Sequence, residues 1–370
     1  MESTSLGRPH DPVRACVTGL ALGAVLAGVL VPPAWSAPVV HRLAAIASIG
    51  RTDQANVHAV PVFHNPVIRD DSPDPDVVLS GGTYYAFTTG NLNGPIQLFI
   101  STNLAHWTQT NWPGPLLQDA TWTTYGKEWA PGVIQVGEQW VMYYATEETE
   151  TGAQCITMAT APTITGPYVN DQSAPLTCDA IDPSPYTTSD GSLLLTWKGD
   201  EASGRGAKIM VEQLSADGRS FLPGTSPTVV LTADQPWETT VENPDMALIG
   251  GTWFLVYSGG SYSDASYATG YAMCTGPLGP CTKPLDHPLL TSAAEVIGPG
   301  GASAFADKSG QWWLAYAAAT PGPGEYGLFG IRIRSLRIDA LCVADGRLET
   351  TGPTTTPQPL ASVCPPGRVA

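Results

Sequence analysis

Val241–Tyr257 reads VENPDMALIGGTWFLVY, and its layout recurs along the chain. An acid precedes a proline, a short apolar run follows, and a glycine turn leads into a second apolar run rich in Trp or Tyr. The same order stands at 74–87 (DPDVVLSGGTYYAF) and 182–197 (DPSPYTTSDGSLLLTW). It stands without the acid at 129–144 (WAPGVIQVGEQWVMYY) and 298–316 (GPGGASAFADKSGQWWLAY). The five copies start at 74, 129, 182, 242 and 298, a period of about 53–60 residues that belongs to stacked supersecondary units.

Each unit is β. Runs of Val, Ile, Tyr, Trp and Thr are separated by the hairpin signals Gly81-Gly82, Gly137, Asp190-Gly191, Gly250-Gly251 and Ser309-Gly310. A third strand follows in each copy: IQLFIST (96–102), CITMATA (155–161), AKIMVEQL (207–214), YATGYAMC (267–274) and LFGIRIRSL (328–336). Room remains for a fourth, and no stretch reads as a long amphipathic helix. Four-stranded units at this period predict an all-β chain, a five-bladed β-propeller over 61–341. A β-helix repeat would be far shorter, and no Gly-His…Trp-Asp pair recurs to suggest the WD version.

The composition agrees. Gly 39 and Pro 34 in 370 residues suit many short strands joined by turns, and 43% apolar residues suffice for a large core. A net charge of −16 argues against nucleic acid and anionic membranes as partners, and leaves neutral substrates open. Arg8 and Arg14 precede the apolar run Val17–Val31 and then PPAWSA, with small residues at Ala34 and Ser36. That predicts a signal peptide over 1–36, cleaved near Ser36, and a secreted protein. Residues 37–60 read as an N-terminal extension.

Six cysteines follow the signal, and their simplest pairing joins sequence neighbours: Cys155 with Cys178, Cys274 with Cys281, and Cys342 with Cys364. The last pair would staple a Pro- and Thr-rich tail, 342–370, to the propeller. Disulfides fit an oxidising compartment.

In a propeller the first strands of all blades line the central channel, so equivalent residues converge at one mouth. Asp74, Asp182 and Glu242 therefore meet, although they lie far apart in sequence. Carboxyls gathered in a partly apolar pocket repel one another and lose solvation, and both effects favour keeping a proton on one of them. Glycosidic cleavage needs that pairing of acid and base. A lone acid before proline more often caps a turn; three at matching places point to a site. Glu242 lies two residues before its proline and the aspartates one, so its facing on the strand is offset.

The stretches SPDPDVVLSGGTYYAFTTG, KEWAPGVIQVGEQWVMYYA, AIDPSPYTTSDGSLLLTWKGD and VENPDMALIGGTWFLVYSGGSY resemble glycoside hydrolase family 43 in order and spacing, from about Asn65 to Ile338. The resemblance implies hydrolysis of α-L-arabinofuranosides, arabinan or β-xylosides with inversion. It makes Asp74 the general base, Glu242 the general acid, and Asp182 the group that orients Glu242 and raises its pKa. Trp129, in the acid's place in the second copy, is a candidate for stacking on a sugar or for plugging the channel. Trp197, Tyr257 and Tyr262 are further substrate-binding candidates. Arg332 and Arg334 share one side of a strand in the blade where the family places a substrate-binding arginine.

Two departures stand out. The family often has Gly-Pro-Gly-His where this chain has GPGG, so Gly301 takes the place of a histidine that helps hold a channel metal. Tyr316-Ala317 stands where Tyr-His is common. No cofactor is required for the acid–base chemistry, and Gly301 puts a structural calcium in doubt while leaving it possible through waters and other oxygens. The expected partners are arabinan, arabinoxylan or their oligosaccharides, acted on by a monomer. Two other readings remain open here: a non-catalytic carbohydrate-binding propeller, and a fructan-acting propeller hydrolase.

Overall fold

The apolar runs flanking each glycine turn pair as antiparallel strands. Gly250 and Gly251 take φ of 58° and 86°, the left-handed pair that a two-residue hairpin needs, and join Val241–Ile249 to Thr252–Gly259. The computed structural model describes residues 61–91, 94–110, 114–199, 206–327, 332–361 and 364. The signal and extension expected over 1–60 lie outside them.

Five sheets, antiparallel except for the parallel pairing of Leu116–Gln118 with Tyr168–Val169, form the blades of a five-bladed β-propeller. Blade one is Asp76–Ser80, Thr83–Asn91, Gly94–Ser101 and Thr108–Gln109. Blade two is Trp129–Val136, Gln139–Glu147, Gln154–Ala161 and Tyr168–Val169, widened by Leu116–Gln118 and Thr177–Cys178. Blade three is Ala180–Thr187, Leu193–Gly199, Lys208–Gln213 and Thr228–Thr232. Blade four is Val241–Ile249, Thr252–Gly259, Ala268–Cys274 and Cys281–Thr282; blade five is Ile297–Ala306, Trp312–Ala319, Ser335–Ala344 and Arg347–Thr350. The first strands touch one another in ring order, and blade one's returns to blade five's.

Five apolar clusters fill the spaces between neighbouring blades. Phe87, Met142 and Tyr144 lie between blades one and two, and Tyr143, Leu195 and Trp197 between two and three. Tyr186, Leu255 and Tyr257 lie between three and four, Phe254, Tyr271 and Tyr316 between four and five, and Val77, Phe99 and Trp313 between five and one. Both faces of every sheet are thus buried, which explains strands such as Trp312–Ala319 (WWLAYAAA) that are apolar almost throughout.

The ring is closed by the segment before blade one. Asn65 donates from Nδ2 to Ile338 O at 2.8 Å and accepts from Ile338 N at 3.0 Å. Val62–Phe63 pairs with Gln358–Pro359. The three disulfides join Cys155 to Cys178, Cys274 to Cys281 and Cys342 to Cys364, as the sequence suggested.

Blade five corrects two expectations. Of the third strand expected over 328–336, residues 328–331 lie outside the described ones, and the strand itself begins at Ser335. The chain up to Arg334 is drawn across to blade one instead: Ser72 N donates to Arg334 O, and Arg334 N donates to Asp71 Oδ1. The blade also runs past 341. Cys342 lies inside the third strand and Arg347–Thr350 is the fourth, so the stapled tail begins after Thr350.

Candidate active site

The repeat is anchored by one backbone conformation. Asp74, Ala130, Asp182, Asn243 and Gly301 have φ of 53°, 46°, 60°, 46° and 60°, all left-handed. Four of them precede a proline, which pushes its neighbour towards extended geometry. Such residues persist where their surroundings fix them, and they cluster at functional sites. Here the fixing comes from the neighbouring blade. Ala130 N donates to Thr89 Oγ1 at 2.8 Å, Asn243 N to Asp182 Oδ2 at 2.9 Å, and Gly301 N to Ser258 Oγ at 2.8 Å. Two residues further along, Asp76 Oδ2 accepts from Val133 N, and Asp245 Oδ2 from Ala304 N, both at 2.7 Å.

This register corrects the sequence alignment. The residue equivalent to Asp74 and Asp182 is Ala130 in blade two, Asn243 in blade four and Gly301 in blade five, so Pro299 is not the counterpart of Pro75. Trp129 and Glu242 share the preceding position, together with Ile181. The site thus has two layers: aspartates from the left-handed position, and Glu242 and Trp129 from the one before it.

The three carboxylates do converge. Asp74, Asp182 and Glu242 line one open cavity of about 630 Å³ with Thr89, Trp129, Ile181, Lys198, Tyr262 and Arg334. Asp74 Oδ2 accepts from Thr89 Oγ1 at 2.7 Å and Oδ1 from Arg334 Nη1 at 3.2 Å, so both oxygens are held. Arg334 lies 5.2 Å from the centre of the Tyr262 ring. Burial works against the charge of its guanidinium, but Asp74, with Tyr267, Asp71 and Glu242, holds its pKa above the ordinary value. Glu242 Oε2 accepts from Lys198 Nζ at 2.9 Å, with both side chains almost fully buried.

Asp182 is pushed up to about 8, first by burial and then by the charges of Glu242 and Asp74; Lys198 and the Asn243 N–H pull the other way. The Tyr267 hydroxyl donates to Asn243 Oδ1 at 2.9 Å, and its pKa is raised well above the ordinary value by burial, then by Glu242 and Asp74. The carboxyl of Glu128, next to Trp129, is pushed up to about 7, first by burial and then by the nearby Asp119.

Among the other sequence candidates, Trp129, Tyr262 and Arg334 line the cavity. Trp197 and Tyr257 do not: Trp197 packs on Phe221, and Tyr257 stacks on Trp237 and donates to Glu238 Oε1 at 2.6 Å. Both point into the spaces between blades, where alternation along a strand sends every second side chain. Arg332 stands apart from the cavity, paired with Glu325 at 2.9 Å and lying over the Tyr326 ring. Lys198 and Thr89 escaped the sequence reading. Lys198 carried a signal, a charged residue inside the apolar run LLLTWKG.

The histidine that helps hold a channel metal in the family does not fit at residue 301. A Cβ at residue 301 would lie 2.7 Å from Asp74 Oδ1, so a histidine there would displace the carboxylate. Among the described residues no group of three or more His, Cys, Asp or Glu is arranged to hold a metal ion. Gly301→Ala should lower turnover by about 10²-fold, since small misplacements of a reacting group cost that much. It should also destabilise the fold by about 1–3 kcal/mol, because the left-handed backbone is strained for alanine. Steady-state kinetics alongside a denaturant titration would check both; native turnover would refute the contact.

The sequence profile described as Glycosyl hydrolases family 43 matches residues 63–345. A "Probable arabinan endo-1,5-alpha-L-arabinosidase A" of Aspergillus flavus is 25% identical over 269 residues, covering 64% of this chain and 78% of that protein. A "Xylan 1,3-beta-xylosidase" of a Vibrio species is 24% identical over 289 residues, 71% of this chain and 51% of that one. Among solved structures, a thermostable family-43 glycoside hydrolase superposes with a TM-score of 0.69 at 26% identity, covering 80% of this chain and 98% of its own.

Proposed function

The chain belongs to glycosyl hydrolase family 43, and on that premise we propose that it is a secreted, inverting hydrolase of arabinose-containing polysaccharide. An α-L-arabinofuranosidase or arabinanase is favoured over a β-xylosidase. The observation that carries the reading is the gathering of Asp74, Asp182 and Glu242 from three blades into one open cavity. The Aspergillus relative's name favours arabinan. Three disulfides support an exported protein.

In this reading Asp74 takes a proton from water as the water oxygen attacks the anomeric carbon. Thr89 and Arg334 hold the carboxylate for that task. Glu242 gives a proton to the glycosidic oxygen as the C–O bond breaks, and the sugar leaves with its anomeric configuration inverted. Trp129 and Tyr262 offer apolar faces to the sugar rings.

The test is hydrolysis of linear arabinan, arabinoxylan, xylan and the aryl arabinofuranoside and xyloside, with proton NMR of the first anomer formed. Arabinose or arabino-oligosaccharides of inverted configuration are expected. Retained configuration would sink the mechanism, and xylose as the sole product would move the reading to β-xylosides.

A further inference from the structure

Of the 13 tyrosines in the chain, only Tyr125, Tyr262 and Tyr326 are exposed, at 71%, 59% and 54%. All three stand on one face of the propeller. The second strand of a blade runs antiparallel to the first, so the loop from second to third strand opens on the face where the first strand begins. The three carboxylates lie on that face. Tyr262 stands in this loop of blade four, between Gly259 and Ala268, and Tyr326 in the same loop of blade five, between Ala319 and Ser335. Tyr125 leads into Trp129, and its neighbour Thr124 donates from N to Glu147 O at 2.8 Å, at the end of blade two's second strand. Single apolar side chains scattered over a surface are ordinary. Gathering on the face of the cavity is not scatter.

Tyr262 lines the cavity, whereas Tyr326 lies outside its lining. The Tyr326 ring is held in place all the same. Arg332 Nη2 donates to its hydroxyl at 3.0 Å, and the guanidinium carbon lies 5.4 Å from the ring centre. Arg332 is fixed in turn by Glu325 at 2.9 Å, with side chains only 17% and 15% exposed. The backbone supports the pair: Tyr326 bridges Arg332, and Ile333 N donates to Glu325 O at 2.9 Å. Arg334 lies likewise 5.2 Å from the centre of the Tyr262 ring. The Cα atoms of Arg332 and Arg334 are at most about 7 Å apart, the reach of two residues of chain. Arg332 also acts on the charge of Asp264, in the Tyr262 loop. The two exposed rings therefore occupy adjoining stretches of the rim, each beside one arginine of the same strap. A ring already held loses little freedom when a ligand covers it.

We propose that Tyr326, fixed by Arg332, is a second sugar-binding platform outside the catalytic cavity, taking a further residue of a glycan chain whose scissile bond lies at Asp74 and Glu242. The inference rests on the hydrolase reading above and deepens it: the substrate is a chain that runs from the cavity past Tyr262 towards blade five. The ring recognises the apolar C–H face of a sugar, which arabinan and xylan chains both offer, while its hydroxyl stays committed to Arg332.

The test measures kcat/KM of native enzyme, Tyr326→Ala and Tyr326→Phe on a 4-nitrophenyl arabinofuranoside and on linear arabino-oligosaccharides of increasing length. The aryl xyloside and xylo-oligosaccharides form a second series. Tyr326→Ala should lower the ratio of the long-chain value to the aryl value by about 3–10-fold, the size of one aromatic contact, mainly through KM. Tyr326→Phe keeps the ring and should stay within about twofold of native. The series that shows the fall identifies the chain. Leu248, 41% exposed just before the hairpin glycines on the opposite face, supplies the control, and Leu248→Ala should leave the ratio unmoved. A ratio unmoved by Tyr326→Ala would overturn the proposal. So would an equal fall in Tyr326→Phe, which would mean that the tyrosine serves only to hold Arg332. Calorimetric titration of the longest oligosaccharides into Glu242→Gln, with and without Tyr326→Ala, separates these failures from failure of the functional reading. If the native enzyme cleaves no glycoside, the reading fails; chain binding that weakens by the same factor without the ring still supports the platform, and absence of chain binding overturns both.

Discussion

Asp74→Ala is expected to lower turnover by about 10²–10⁴-fold on every glycoside the enzyme cleaves, the usual contribution of a positioned base. The size follows from how completely the carboxylate is committed. Thr89 Oγ1 and Arg334 Nη1 approach its two oxygens, and its left-handed backbone aims it into the cavity. The other two carboxyls of the cavity cannot take over, because Asp182 is bound to the Asn243 N–H and Glu242 to Lys198. The fold should survive. Thr89 keeps its bond from Ala130 N, so blades one and two stay tied, and Arg334 retains the charges of Asp71 and Glu242 nearby. Unchanged circular dichroism and melting, together with rates on an aryl arabinofuranoside and on arabinan, would check this. A folded variant within tenfold of native on both substrates would remove Asp74 from the chemistry.

That such a carboxylate can be picked out from sequence depends on a marker that is only partly reliable. Proline follows the left-handed residue at Asp74, Ala130, Asp182 and Asn243, so four blades announce themselves. In blade five Ala302 stands in that place and Pro299 lies three residues earlier. A reading keyed to proline therefore misaligns Gly301, and a reading keyed to the first prominent side chain sets Trp129 beside the aspartates rather than beside Glu242. Backbone φ, which sequence does not display, settles both.

Aromatic residues mislead for another reason. Every sheet is buried on both faces, so Trp197 and Tyr257 fill gaps between blades, while the next residues along their strands, Lys198 and Ser258, face the carboxylates or hold Gly301 N. The fold was legible because hairpin glycines and apolar runs repeat. The site was legible in its three acids and in Trp129, Tyr262 and Arg334, but not in its lysine or its hydroxyls. Hydroxyls such as those of Thr89 and Ser258 look like ordinary strand residues. The strap carrying Arg334 is ambiguous for the same reason: IRIR alternates like a strand, yet the strand begins at Ser335.

Glu242→Gln separates the acid from the base by leaving group. A glutamine amide fills the same space and its oxygen can still face Lys198 Nζ, so the cavity should keep its shape. It has no proton to give at neutral pH. Cleavage of an arabinan linkage expels an alkoxide unless protonated, so that rate should fall by about 10²–10⁴-fold, the contribution of one positioned acid. A 4-nitrophenyl arabinofuranoside expels a stable phenolate and should lose far less. Asp74→Ala gives no such split, because water must be activated whichever group departs. The two variants together therefore assign the roles, where either alone shows only that a carboxylate matters. If Glu242→Gln slows both substrates equally, the proton comes from elsewhere, and Asp182, pushed up to about 8 in the same cavity, is the group to which the acid role would pass.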